Sequence, residues 1–371
     1  MNKEYKLAPR QVALCYVAFF SVLKFINLPA VTARFAREGL WISALAAFLF
    51  DGLLAWLTLF AAGKGEDETF LDCIERAFGR PFTVLLAFLY FLFFLVKAYI
   101  PLVEQKYYVE VTLYETSPTL LTFLPFFLVC FYVAYKGLRS FGRCADACVW
   151  LTLAAFAVLV SLSLANFDPT ELLPVIGVPV GDLAEGTLRT SPWYLDGTFL
   201  LFAAGNIRRE KNGGRKILFG YAASALLVLA YMCVLYGEFG AISERQFFSP
   251  VRMGKFNVAL TNIGRVDYFS AFIFALSSIF GLSAPVLLAS VCLDRIFRFR
   301  MKFIPAAISS ACLLAAVLTT DKSAYMILNA LQFPLSPWLI SLAAAGPVLF
   351  LAAKLLPRKK EKNLPTRRAP V

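Results

Sequence analysis

Long apolar stretches alternate with short polar segments along the whole chain. A helix needs about 20 mostly apolar residues to cross the hydrocarbon core of a membrane. Ten stretches meet or approach that length: 11–32, 41–62, 81–103, 120–135, 147–165, 193–205, 217–236, 268–293, 303–319 and 338–356. The pattern predicts an all-α polytopic membrane protein. It forms a single transmembrane domain of two five-helix halves, over about 9–165 and 193–356, followed by a basic tail at 357–371.

Composition supports the membrane class and argues against catalysis. Hydrophobic residues make up 60% of the 371 residues and charged residues 16%, whereas soluble domains average about 45–50% and about 25%. The chain has no histidine, and its eight cysteines form no CxxC pair. It also contains no phosphate-binding loop and no nucleophile–base arrangement. We therefore expect neither an enzyme, nor a metal site, nor a cofactor.

Basic residues are concentrated in alternate loops. In the ten-span arrangement, 25 Lys and Arg residues fall on the side of both termini and 9 on the opposite side. Because cytoplasmic loops carry the excess of Lys and Arg, both termini are predicted to be cytoplasmic. Membrane orientation thus accounts for the net charge of +12 without a nucleic-acid partner. On the opposite side, the connection over 238–267 is open to two interpretations, an interfacial helix or a solvated loop.

Two of the ten spans are interrupted. Lys24, Asn27 and Pro29 break the first, and the sixth offers only 13 residues up to Gly205, about 20 Å of helix against a core of about 30 Å. We place the break of the sixth span at Gly205–Asn206. The two spans begin 182 residues apart, about half the chain, which predicts a five-plus-five inverted repeat of the amino-acid-transporter type.

A ligand site is expected where the two breaks meet. Unwound backbone leaves N–H and C=O groups and half-helix dipoles available to a ligand. An amino acid, which carries a carboxylate and an ammonium, suits such a site. Two serines of the eighth span either line it or only permit close helix packing. The expected ligand-binding residues are Ser21, Lys24, Asn27, Ala204, Gly205, Asn206, Ser277 and Ser278.

Three charged residues lie inside predicted spans. Asp51 is ten residues into the second span, about 15 Å deep. Lys24 and Lys97 are at depths from which either amine can reach it. Each such charge costs at least about 2.5–3.5 kcal/mol on insertion scales, so pairing is expected. We predict that Asp51 pairs with Lys24 or Lys97, and that these charges serve ligand binding, ion coupling or gating. The alternative is a structural ion pair with one lysine, while the other reaches the interface.

Several short motifs, taken in order, resemble the B-subunit family of spore-germination receptors. The motifs are 24–29, 37–43, Gly142-Arg143, 166–168, 172–174 and 264–267. The resemblance implies the fold of the amino acid–polyamine–organocation transporter superfamily. It also implies a role in sensing germinants in the inner spore membrane, beside A- and C-type subunits. One departure concerns the first break, where transporters of the superfamily are usually glycine-rich and this chain has Val22-Leu-Lys-Phe25. The amine of Lys24 is therefore expected to occupy part of the site.

Three functions remain open at this stage. The first hypothesis is a germinant-receptor subunit that binds a small nutrient. The second is a secondary amino-acid transporter coupled to protons or sodium, for which Asp51 is the chief buried acid. The third is a membrane scaffold without a ligand, and the pair of broken helices argues against it.

Overall fold

The computed structural model describes residues 6–64, 68–112, 119–174, 177–255, 266–320 and 322–356. The basic tail at 357–371 and Gly264-Arg265 of the last motif lie outside the described residues. Within those ranges the secondary structure is helical, with one isolated bridge between Leu7 and Ile207.

Fourteen α-helices are present in the described part of the chain. In the first half they are α1 Pro9–Cys15, α2 Leu28–Ala36, α3 Leu40–Ala62, α4 Phe70–Phe78, α5 Arg80–Thr112, α6 Thr119–Lys136 and α7 Leu138–Ser163. In the second half they are α8 Val180–Thr190, α9 Gly197–Ala203, α10 Gly213–Phe239, α11 Ser249–Lys255, α12 Val266–Phe297, α13 Phe303–Leu318 and α14 Lys322–Leu355.

Six helical stretches are long and apolar enough to cross a membrane. They are Leu28–Ala62, Arg80–Lys106, Leu138–Asn166, Gly213–Arg245, Leu276–Phe297 and Pro334–Leu355. Two shorter apolar helices, Leu124–Lys136 and Phe303–Leu318, accompany them. The first span consists of two short helices, α1 and α2, and α2 continues into α3 within the stretch Leu28–Ala62. The sixth span consists of α8 and α9. The prediction of an all-α membrane protein with broken helices 1 and 6 is confirmed.

The two broken spans lie together inside the bundle. α2 packs on α8, while α9 packs on α3 and α12. α1 packs between α7 and α10, and α12 covers α5, α6 and α7. Helices that belong to different halves of the sequence therefore surround both breaks.

The break of the first span follows from its sequence. After α1 the chain makes a π-helical turn over Tyr16–Phe20 and a 3-10 turn over Val22–Lys24. α2 then begins after Asn27, with Pro29 in its first turn. Proline is tolerated in a first helical turn, but it has no N–H to donate to Phe25 O, as a helix continuing through this point would require. The break predicted at Lys24–Pro29 is thus where the structure has it.

The break of the sixth span lies elsewhere than predicted. α8 leads into a 3-10 turn over Ser191–Trp193, and Leu195 adopts a φ of 61° before α9 begins at Gly197. A left-handed φ is uncommon outside glycine, so this connection is held by its surroundings. The predicted break at Gly205–Asn206 and the predicted start at Trp193 were therefore wrong. α8 carries Asp182, Glu185 and Arg189, so it does not belong to the apolar stretch from which the sixth span was predicted.

Gly205 does not mark the break of the sixth span. It allows close packing instead. It lies in a 3-10 turn over Ala204–Asn206 that follows α9. A Cβ on Gly205 would lie 2.6 Å from the Cα of Thr69. The glycine therefore lets this turn approach the start of α4 closely.

Both ends of the bundle are closed around the broken spans. At the end that carries the basic loops, which we call the basic end, Leu7 N donates to Asn206 O and Arg208 N to Leu7 O, both at 2.8 Å. Arg295 at the end of α12 pairs there with Asp72 and Glu75 of α4, at 2.8 and 2.6 Å. At the opposite end, the connection over 238–267 contains α11, and its residues 256–265 lie outside the described ranges.

Candidate functional site

Four charged side chains, three of them buried, meet between the two breaks. Lys24, Asp51 and Asp196 are 1%, 1% and 4% exposed, and we call them, together with Lys97, the charge quartet. The Lys24 amine pairs with Asp196 Oδ2, and the Lys97 amine lies 3.0 Å from Asp196 Oδ1. The prediction that Asp51 pairs with Lys24 or Lys97 was therefore wrong, because both lysines use Asp196.

Asp51 has a different partner, the start of α9. Its Oδ2 accepts from Asp196 N at 3.0 Å and its Oδ1 from Gly197 N at 2.9 Å. Tyr221 Oη donates to Oδ2 at 3.1 Å. A carboxylate is favoured at a helix N-terminus, where backbone N–H groups lack helical partners. Asp51 therefore fills, from α3, the position at which a half-helix would otherwise present its N–H groups to a ligand.

Further contacts hold the two lysines in place. Lys24 Nζ donates to Phe20 O at 2.9 Å, and Lys97 Nζ donates to Tyr194 O. The Lys24 amine also lies 5.8 and 5.7 Å from the ring centroids of Phe48 and Tyr194, within the range of cation–π attraction. The quartet combines two formal positive and two formal negative charges. It is a neutral, internally paired unit in an apolar interior.

A second group of polar side chains lies about two helical turns along α5 from Lys97, and we call it the second layer. Glu104 is 3% exposed and its Oε2 accepts from Trp193 Nε1 at 3.1 Å. The Asn27 side chain lies near Glu104. Seven residues separate Lys97 from Glu104, about 10 Å along a helix. Glu104 thus contacts both broken spans, as Asp196 does one layer away.

Backbone groups freed by the first break are satisfied from α11. Ser249 Oγ donates to Phe25 O at 2.7 Å, and Ser249 N donates to Ile26 O at 3.2 Å. Phe248 N donates to Asn27 Oδ1 at 3.0 Å. Tyr231 Oη lies 2.7 Å from Ser249 Oγ. The connection at the far end of the bundle therefore closes over the break.

The predicted serines lie on the side of the first span. Ser21 Oγ donates to Val17 O of its own turn at 2.6 Å. Ser277 Oγ lies 3.0 Å from Thr152 Oγ1, which in turn lies 3.3 Å from Ala18 O. Ser278 Oγ donates to Gln105 Oε1 at 3.2 Å. The serines thus link α12 to α7 and α5 beside the break.

The predicted residues of the sixth span are not part of this cluster. Ala204, Gly205 and Asn206 lie at the basic end, and α9 separates them from the quartet by about 10 Å of helix. Of the predicted set, Lys24 and Asn27 contact the sixth-span break or its acidic partners. Asp196 and Glu104 were missed, although an acid four residues into the predicted sixth span was a visible signal.

The quartet is organised around the carboxylate of Asp196. Two ammonium groups converge on a single carboxylate, and charge-assisted hydrogen bonds of this kind are the strong ones. Among the described residues, no group of three or more His, Cys, Asp or Glu could hold a metal ion.

Comparisons of the sequence with known proteins find germination proteins. The model of a family described as "Spore germination protein" matches residues 6–325. Spore germination protein YndE of Bacillus subtilis (strain 168) is 18% identical over 239 residues, 64% of this chain and 65% of that protein. Spore germination protein A2 of the same organism is 21% identical over 227 residues, 61% and 62%. The matched segments thus span just under two thirds of these relatives.

Comparisons of the structure find membrane transporters. Mhp1, a nucleobase-cation-symport-1 family transporter in a closed conformation with bromovinylhydantoin bound, superposes with a TM-score of 0.63. It is 16% identical, and the match covers 92% of this chain and 79% of that one. A mutant of the Eremococcus coleocola manganese transporter gives a TM-score of 0.52 at 14% identity, covering 93% and 76%. The chain is a multi-pass membrane protein with the fold of these transporters.

Proposed function

Because the chain belongs to the spore germination protein family, we propose that it is the membrane subunit of a germinant receptor. In this proposal it binds a small nutrient, an amino acid by its chemistry, and thereby triggers germination. It acts beside A- and C-type receptor subunits in the inner spore membrane, with both termini in the cytoplasm.

One observation carries the proposal, the contact between Lys24 of the first break and Asp196 of the sixth. This ion pair joins the two broken spans directly. A nutrient carboxylate that takes the place of Asp196 on Lys24 therefore unlinks them, and the lysines remain paired with an anion throughout. Such an exchange avoids the high cost of an unpaired buried charge. Binding energy can then be converted into a movement of one span relative to the other.

Glu104 provides the complementary half of the recognition. It is a buried carboxylate that accepts a hydrogen bond from Trp193, and in the described part of the chain no cation forms a salt bridge with it. A buried carboxylate without a cation is costly. An ammonium group on the ligand would offset that cost. The ligand that suits both layers is an amino acid whose carboxylate contacts the lysines of the quartet while a cationic group farther along the molecule contacts Glu104.

The test is a nutrient panel on spores that lack the gene, complemented with variants. The main variant is the double substitution Lys24→Met with Asp196→Asn, which leaves one positive charge, Lys97, and one negative charge, Asp51, so the interior remains neutral. We expect normal protein levels but a nutrient concentration for half-maximal response raised by about 10- to 100-fold, the value of a hydrogen bond to a charged group.

The matched control is Ser161→Ala, on the exposed surface of α7, where the hydroxyl bonds only to Ala157 O of its own helix. Its response should equal that of the wild type. An unchanged dose–response in the double variant, with the protein present in the membrane, would place recognition outside the quartet. A deletion strain that responds normally to every nutrient would refute the receptor role itself.

The second candidate is a proton- or sodium-coupled amino-acid transporter. The observation in its favour is the oxygen cluster of Ser277, Thr152 and Ala18 O beside the first break, at separations of 3.0 and 3.3 Å. Hydroxyl and carbonyl oxygens are ligands suited to a hard cation. Uptake of a labelled amino acid into proteoliposomes, driven by a sodium or proton gradient and lost in Lys24→Met with Asp196→Asn, would favour transport. Binding without uptake would favour sensing.

A further inference from the structure

We propose that a groove along α1 binds an anionic glycerophospholipid from the membrane leaflet at the basic end. The groove, called here the α1 groove, runs between α7 and α10 and has two lobes of about 540 and 530 Å³. Both lobes are lined by Arg10, Leu14, Val17 and Ala223, so they form one continuous depression.

The body of the groove is apolar and faces outwards. Trp150 on α7 is 74% exposed, and Leu226 and Phe219 on α10 are exposed as well. In a chain that spans a membrane, such side chains meet acyl chains and not water. The floor is formed where Gly220 of α10 lies directly against Ala13 of α1.

The rim of the groove is basic. Arg10, Arg215 and Lys216 line it at the basic end. Lys216 pairs with Glu210 at 2.9 Å and Arg10 with Asp146 at 2.9 Å. Within the described residues no carboxylate pairs with Arg215. A cation without an internal partner, beside two others at the membrane boundary, attracts an anionic headgroup.

The length of the groove fits one lipid leaflet. Arg215 and Leu227 are twelve residues apart on α10, about 18 Å of helix. Half of a hydrocarbon core of about 30 Å is about 15 Å. An acyl chain can therefore follow the groove from its basic rim to its apolar end, with its phosphate at Arg215. The bound lipid would rest on the same span that carries Lys24, which makes the groove a place where lipid composition can influence the site.

The experiment reconstitutes the purified full chain into phosphatidylcholine vesicles that contain a fraction of brominated lipid. Bromine quenches nearby tryptophan fluorescence, and the contribution of Trp150 is the difference between wild type and Trp150→Phe. We expect brominated phosphatidylglycerol to quench Trp150 more strongly than brominated phosphatidylcholine at the same mole fraction. The Arg215→Gln variant should lower this preference by about fivefold, the effect of one basic residue near an anionic surface.

Two controls make the result specific. Arg300→Gln removes an exposed arginine from the same end of the bundle, beside α13 and away from the groove, and should leave the preference unchanged. Ala223→Phe should fill the groove and reduce quenching by either lipid without altering elution on gel filtration. Equal quenching by the two headgroups, or equal behaviour of Arg215→Gln and Arg300→Gln, would overturn the proposal. Competition by free glycerol phosphate would also overturn it, since the site would then recognise phosphate and not lipid.

Discussion

The two breaks expose opposite kinds of backbone group, and the chain satisfies them with different chemistry. At the first break the carbonyls of Phe25 and Ile26 receive hydrogen bonds from Ser249. At the sixth break the N–H groups of Asp196 and Gly197 donate to the Asp51 carboxylate. Hydrogen bonds to charged groups contribute about 1.5–3 kcal/mol and neutral ones about 0.5–1.5 kcal/mol. The sixth break is therefore the firmly held one, and the first is the easier to rearrange.

The largest effect is expected from Asp51→Ala. This substitution leaves the backbone N–H groups of Asp196 and Gly197 without their acceptor, and it leaves the quartet with an excess positive charge. Breaking a buried charge arrangement in this way costs about 3–5 kcal/mol. Thermal unfolding in detergent should show a large fall in Tm. Thr58→Ala is the control, since that buried hydroxyl on the same helix bonds only to Leu54 O. Equal losses in the two variants would remove the distinction between the breaks.

A smaller net effect is expected when both members of the central ion pair are neutralised. Asp196→Asn alone leaves two lysines facing one carboxylate, so it should destabilise the protein strongly. Adding Lys24→Met restores a neutral interior and should recover about 0.5–3 kcal/mol, the usual size of coupling between contacting residues. A double-mutant cycle in Tm measures this coupling. A second cycle with Asp196→Asn and Lys97→Met measures the coupling of Asp196 to Lys97. Comparing the two coupling energies shows which lysine interacts more strongly with Asp196. Strictly additive losses would mean that the ion pairs do not stabilise the fold.

The smallest effect is expected at the first break, from Ser249→Ala. Loss of a neutral hydroxyl donor should cost about 1 kcal/mol and lower Tm slightly, while the nutrient response shifts because the break is less constrained. Ser161→Ala serves again as the matched control. A loss of stability as large as that of Asp51→Ala would show that both breaks are held equally firmly, contrary to the comparison above.

Much of the fold could be predicted from apolar length alone. Stretches such as 217–236 and 303–319 appear as α10 and α13 with only small changes of boundary. The exception is α8, which is exposed on one side and carries Asp182, Glu185 and Arg189. It becomes half of a span by packing on α2, α3 and α14. A window that scores hydrophobicity cannot detect burial created by partners distant in the sequence.

The site was predicted in part. Lys24, Asp51 and Lys97 were recognisable as charges within apolar spans, and all three belong to the quartet. Their common partner, Asp196, could not be recognised from the sequence, because its backbone contact with Asp51 joins residues 145 positions apart. Glu104 lies one residue beyond the predicted end of the third span, so it was assigned to a loop. α5 continues past it, and tertiary packing buries it.

The chain belongs to the spore germination protein family, and its fold is that of membrane transporters. The family and the fold do not identify the ligand. The quartet instead supports the proposal for the ligand, a group that can replace the carboxylate of Asp196 on the two lysines.

The balance of formal charges in the quartet also has an electrical consequence. Moving one elementary charge across the membrane costs or releases about 2.3 kcal/mol per 100 mV. Two lysines and two aspartates buried together carry no net charge. A zwitterionic nutrient whose carboxylate replaces that of Asp196 adds none. In the proposed mechanism, the change from linked to unlinked breaks would therefore transfer no net charge through the membrane field, and it would not depend on the membrane potential.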